Sequence, residues 1–143
     1  MPESNKIKVL FVCAHNSARS QMAEALLNQM AGDRYYAQSA GLEPGALNPL
    51  AIEVMREIGL DISQNQTRDV FGFFKRGALF NHVVTVCDDA QAERCPIFPG
   101  YTQRVHCSFP DPAALTGSHE EQLAKTRKIR DQIKNWLERW IKG

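Results

Sequence analysis

The chain passes from an apolar run, Ile7 to Val12, into an amphipathic helix starting at Arg19, across a short polar loop. This junction limits the fold more than any other stretch. The run is rich in β-branched and aromatic residues and reads as a buried strand. The helix carries Met22, Ala23, Leu26, Leu27 and Met30 on one face and stops at Gly32. A buried strand feeding directly into a helix is half of a βαβ unit, and such units build parallel sheets.

The rest of the chain repeats the alternation. Tyr35 to Ala40 reads as a second strand closed by Gly41, and Asn48-Pro49 as a helix start with a side-chain cap and a proline at the first position. Leu50, Val54 and Ile58 form the buried stripe of that helix, and Gly59 ends it. Val83 to Cys87 is a third strand and Gln103 to Cys107 a weaker fourth, followed by the breaker Pro110-Asp111-Pro112. Ser118 with Glu121 fits a capping box. The helix it opens places Ile129, Ile133, Trp136, Leu137, Trp140 and Ile141 on its inner side. The expectation is an α/β fold: one domain over residues 1–143, with a four-stranded parallel sheet and helices on both faces. Ligands of such sheets sit at the carboxyl ends of the strands. Cys13 and Cys87 both fall there and can share one crevice.

Charge and composition narrow the function. Lys and Arg number 17 against 16 acidic residues, so no net field favours nucleic acid or an anionic membrane. The basic run Lys125, Arg127, Lys128, Arg130 has Glu120, Glu121 and Asp131 alongside and reads as a solvated helix face. The start, Met1 to Lys6, lacks the apolar stretch of a signal peptide, and no run reaches membrane-span length. A cytoplasmic monomer is expected. Cysteines in a reducing compartment are buried, metal-bound, catalytic or redox-active more often than bridged. Cys87, Cys95 and Cys107 with His82 and His106 lack the short C-x2-C spacing of structural zinc.

The loop from Cys13 to Arg19 carries the chemistry. Its C-x5-R spacing is weak evidence alone, but its place between a strand and a helix start is specific. There the backbone N–H groups of Cys13, Ala14, His15, Asn16, Ser17, Ala18 and Arg19 converge with the positive end of the helix dipole, which suits an oxyanion. Arg19 adds a planar fork that can hold two oxygens of a tetrahedral anion. The same field favours the thiolate of Cys13. His15 is read as pointing outward and not as a metal ligand.

"CAHNSARSQMAEALL", with "SAG" at 39–41, "NP" at 48–49 and "FPDPA" at 109–113, resembles the low-molecular-weight phosphatase superfamily, and within it the arsenate reductase branch. The resemblance implies that Asn16 holds the loop's shape, that Ser20 hydrogen-bonds the thiolate and that Asp111 is the general acid. It also implies a structural potassium ion on Asn16, Glu24, Ser39 and Asp69, with no other bound cofactor. Tyrosine phosphatases of the family typically have proline and tyrosine where this chain has Gln21 and Ala113.

Reducing arsenate needs two electrons, which thiols can supply. Cys13 forms the arsenic adduct, a second thiol attacks its sulfur, and a third carries the disulfide away. Cys87 and Cys95 are the candidates, with thioredoxin or glutaredoxin as the reductant. Were residues 88–94 helical, the two would stand about 12 Å apart along the axis at ~1.5 Å per residue. A disulfide needs Cα atoms within about 7 Å, so the segment must unwind. It is one residue longer than the family commonly has, a change loops tolerate. Cys107 is read as strand-end packing and is the rival to Cys95. The alternative function is a tyrosine phosphatase acting through a cysteinyl-phosphate.

Overall fold

A computed structural model describes residues 5–143; the first residues of the stretch read as carrying no signal peptide lie outside them. Four strands run parallel in the order β2-β1-β3-β4, with β1 at Ile7–Cys13, β2 at Tyr35–Gly41, β3 at His82–Thr85 and β4 at Gln103–His106. The helices are α1 (Arg19–Ala31), α2 (Pro49–Arg56), α3 (Val70–Lys75), α4 (Asp89–Ala92) and α5 (His119–Lys142). The chain steps from β1 to β2 on one side, then returns past β1 to place β3 on the other. That reversal puts the topological switch point at the carboxyl ends of β1 and β3.

Alternation along β1 divides the core. Val9, Phe11 and Cys13 face α1, α2 and α5, packing with Leu26, Met55 and Ile133 among others. Leu10 and Val12 face the opposite side, with Val70 and Phe73 of α3 and with Phe80, Cys95 and Phe98. All three helices expected from the sequence therefore cover one face. The second face is covered by α3, which the sequence pattern did not reveal, and by loop residues. Its segment, VFGFFK, is rich in β-formers around a glycine, yet Asp69 caps it by accepting from Phe71 N at 2.9 Å.

Other boundaries differ in instructive ways. β3 ends at Thr85, so Cys87 lies two residues beyond the strand, although Val86 N still donates to Val12 O. The buried stripe of α2 is Leu50, Val54 and Met55, whereas Ile58 is 39% exposed because the helix has already ended. Only Asp89–Ala92 is helical between Cys87 and Cys95, so the axial separation expected for a helix over 88–94 does not apply. Trp136, Trp140 and Ile141 of α5 pack only partly buried at the rim of the core.

The basic run on α5 is also more than a solvated face. Arg127 Nε and Nη2 donate to both oxygens of Glu57, and the buried Arg130 donates to Val54 O and to Glu57. These bonds join α5 to the end of α2. They hold the Glu57 carboxyl at about 2, below its ordinary 4.5, with Arg127 the main cause. A depressed carboxylate contributes stability above its unfolded pKa and loses it as pH falls through the folded one. Glu57→Gln is expected to lower Tm at neutral pH by roughly 3–4 °C, about 1 kcal/mol for a pair open to solvent. The gap to the parent should close between about pH 4.5 and 2. Thermal unfolding against pH checks this; a constant gap would locate the effect elsewhere.

Candidate active site

The loop between β1 and α1 is shaped from outside. Carbonyls of Cys13, Ala14, His15 and Ser17 accept from the backbone N–H groups of Leu42, Glu43, Gly45 and Asn48 at 2.8–3.1 Å. With the carbonyls turned outward, the N–H groups of residues 14–18 meet no acceptor among the described residues. Asn16 takes a left-handed φ of 55°, a conformation asparagine tolerates better than most side chains. Gly41 lets β2 approach the turn, since a Cβ there would lie 2.7 Å from Asn16 N.

The helix start is equally open. Helices α2, α3, α4 and α5 begin with capping side chains from Asn48, Asp69, Asp88 and Ser118. By contrast, α1 has Ala18 at its N-cap position, with no side-chain cap and no acid in its first turn. Its N–H groups and dipole are therefore free for an external anion.

Cys13 and Ser20 share a hydrogen bond of 2.9 Å between Sγ and Oγ, and both are buried. Arg19, 6% exposed, is the first residue of α1; its Nη1 donates to Phe109 O at 3.2 Å and its Nη2 lies 3.5 Å from Asp111 Oδ2. Asp111 is steadied by accepting from Ala113 N at the short turn Pro112–Ala114. The expected nucleophile, fork and acid thus meet at one place. His15 is exposed and bonds Glu43 O through Nδ1, pointing away from the cradle. Beside the loop lies a cavity of about 470 Å³ lined by Ser17, Leu47, Pro49, Pro112, Ala113 and His119 among others, with no Phe, Tyr or Trp in its wall.

The thiols divide between the two faces of the sheet. All four are free, and Cys87 belongs to the same buried cluster as Cys13. Burial, and then the charge of Cys13, push the Cys87 thiol up to about 11, while Arg19 pulls it down. Cys95 is buried in the opposite cluster, with Leu10, Val12 and Phe98, and its thiol is raised by that burial. Cys107 packs, half-buried, against the cluster that holds Cys13. Cys95 is thus the one expected relay residue that the structure does not bring to the site.

The side chains implied for potassium already share hydrogen bonds. Asn16 Oδ1 accepts from Arg68 N and Gln21 Nε2, and Asp69 Oδ1 accepts from Phe71 N. Glu24 Oε1 accepts from Ser39 at 3.0 Å and lies 3.6 Å from the Arg68 guanidinium, which already supplies a positive charge there. A cation there would compete with that guanidinium for the Glu24 carboxylate. Phe109 O and Arg68 escaped the sequence reading as parts of the site because their partners Arg19, Asn16 and Glu24 lie far along the chain.

The family model described as low molecular weight phosphotyrosine protein phosphatase matches residues 8–143. An arsenate reductase of Bacillus subtilis is 44% identical over 136 residues, 93% of each chain. A solved arsenate reductase in a phosphate-binding state superposes with a TM-score of 0.75 at 28% identity, covering 94% of this chain and 96% of that one. A thioredoxin-dependent arsenate reductase of Corynebacterium glutamicum superposes with a TM-score of 0.65 at 25% identity, over 96% of this chain and 64% of its own. With its anion loop, its paired Arg19 and Asp111 and these relatives, the chain belongs to the low-molecular-weight phosphotyrosine protein phosphatase family, alongside that family's arsenate reductases.

Proposed function

We propose that the protein reduces arsenate to arsenite through a thiol relay, in the reducing environment of the cytoplasm. The observation that carries the reading is Cys87, buried beside Cys13 and close enough to feel the charges of Cys13 and Arg19. Hydrolysis of a phosphate ester has no use for that second thiol.

In the first step Cys13 Sγ attacks arsenic, an S–As bond forms, and one oxygen leaves as water with a proton from Asp111. The N–H groups of the loop and the fork of Arg19 hold the remaining oxygens. Arg19 is the group that pulls the Cys87 thiol toward ionisation, against its burial. The Cys87 thiolate attacks Cys13 Sγ; the S–S bond forms as the S–As bond breaks, and the electron pair stays on arsenic, which departs as arsenite. Cys95 then attacks Cys87 Sγ, freeing the Cys13 thiolate and leaving a Cys87–Cys95 disulfide for an external dithiol to reduce. The thioredoxin-dependent relative supports a protein dithiol in that role.

The phosphatase reading shares the first step, with phosphorus in place of arsenic and water in place of Cys87. The test is arsenate-dependent oxidation of NADPH by the protein with thioredoxin and thioredoxin reductase. Turnover that requires both arsenate and thioredoxin is the expected result; aryl phosphate hydrolysis alone, with glutaredoxin also tried, would return the site to the phosphatase reading.

A further inference from the structure

We propose that Gln21 is a positioning residue that, together with the Arg68 N–H, holds Asn16 in the orientation from which the nucleophile receives its hydrogen bond. The proposal rests on Cys13 being that nucleophile, as above. Gln21 lies in the first turn of α1, 1% exposed, and does not touch Cys13.

The directions follow from groups that can act only one way. The backbone N–H of Arg68 donates to the Asn16 amide at 2.9 Å, so the atom it meets is the oxygen Oδ1. Gln21 meets that same Oδ1 at 3.1 Å and the Gln66 carbonyl at 3.1 Å. Both are acceptors, so the Gln21 atom facing them is Nε2, and its Oε1 accepts from Asn65 Nδ2 at 3.0 Å. With Oδ1 taken, Asn16 has only Nδ2 to turn to Ser20, donating to its Oγ at 2.7 Å. Because Asn16 turns a donor and not an acceptor to Ser20, the single hydroxyl proton of Ser20 is left free for Cys13 Sγ at 2.9 Å. The chain Asn65→Gln21→Asn16→Ser20→Cys13 thus runs in one sense and ends as a donor to the sulfur, which favours the thiolate. Gln21 also ties the left-handed Asn16 to the loop at residues 65–66.

The test is the pH profile of iodoacetamide alkylation, read on the Cys13 peptide by mass, in Gln21→Met and Asn65→Ala of the full chain. Gln21→Met keeps the volume and removes the amide. It is expected to lower alkylation at about pH 6 roughly tenfold, with rates converging in alkali, because the thiolate and not the access is affected. Asn65→Ala, at a half-exposed position, should move the profile the same way by a smaller factor. Profiles that overlay the parent, or that fall by one factor at every pH, would overturn the proposal. Where Gln21→Met does not fold, the Asn65→Ala profile decides: an overlay rejects the directed chain. Alkylation needs no arsenate, so a protein that reduces none can still confirm this role.

Discussion

Cys13→Ser is expected to abolish arsenate reduction and aryl phosphate hydrolysis together, each by roughly 10⁴-fold or more, as loss of a covalent nucleophile does elsewhere. The substitution keeps the shape of the site and removes the sulfur that attacks the bound anion. A serine hydroxyl there has no base beside it: Ser20 is already committed as a bond partner, and Asp111 lies against Arg19. The loop N–H groups and the start of α1 do not depend on the thiol, so anion binding should survive. Inorganic phosphate is therefore expected to raise the Tm of Cys13→Ser and of the parent alike. Rates with arsenate and with an aryl phosphate, together with phosphate-dependent melting, check both halves. Residual turnover of either substrate near the parent's rate would remove Cys13 from the chemistry.

Cys95→Ser is expected to stop after one arsenite per protein, leaving a Cys13–Cys87 disulfide, whereas Cys107→Ser turns over within about twofold of the parent. Position alone argues the other way, since Cys107 packs on the same face as Cys13 and Cys95 on the opposite one. Mobility decides the matter. Cys107 is held in the sheet, its N–H donating to Thr85 O at 2.9 Å, so moving it breaks the β3–β4 ladder. The segment before Cys95 holds a single helical turn. Its side-chain ties are the surface pairs Arg94 to Glu43 at 2.8 Å and Asp89 to His106 at 2.7 Å, a 3.3 Å bond from Arg104 to Ala92 O, and the packing of Ala92 and Cys95. Exposed pairs of this kind contribute about 0–1 kcal/mol each, so releasing the segment costs little beside breaking a strand. Quenching after one turnover, trapping free thiols and mapping the bridged peptides distinguishes the cases. A stalled Cys107→Ser beside an active Cys95→Ser would transfer the resolving role to Cys107. Parent, Cys87→Ser and Cys95→Ser should all retain slow aryl phosphate hydrolysis, which uses only Cys13, Arg19 and Asp111.

The parts of the site that lie within one strand, one loop and one helix start were legible in the sequence. Cys13, Arg19 and Ser20 are a few residues apart, and the geometry of a strand entering a helix brings them together whatever surrounds them. The order of strands and helices followed from local periodicity for the same reason, as did the Asn48 and Ser118 caps. Helix α3 was hidden because burial by Phe80 and Phe98, not local propensity, makes VFGFFK helical. The clamp of Arg127 and Arg130 on Glu57 joins positions 70 and 73 residues apart, and no spacing rule reaches that far.

The division between sequence and fold is therefore one of range. A thiol at the mouth of a helix, with a guanidinium one turn away, is a local arrangement, and local backbone geometry suffices to make it an anion site. Which thiols stand beside it depends on the face of the sheet each reaches, and that is settled by crossovers and by packing across the core. Packing brought Cys87 to Cys13, sent Cys95 behind the sheet, placed Arg68 against Glu24 where an ion was expected, and joined Gln21 to Asn16 under the loop.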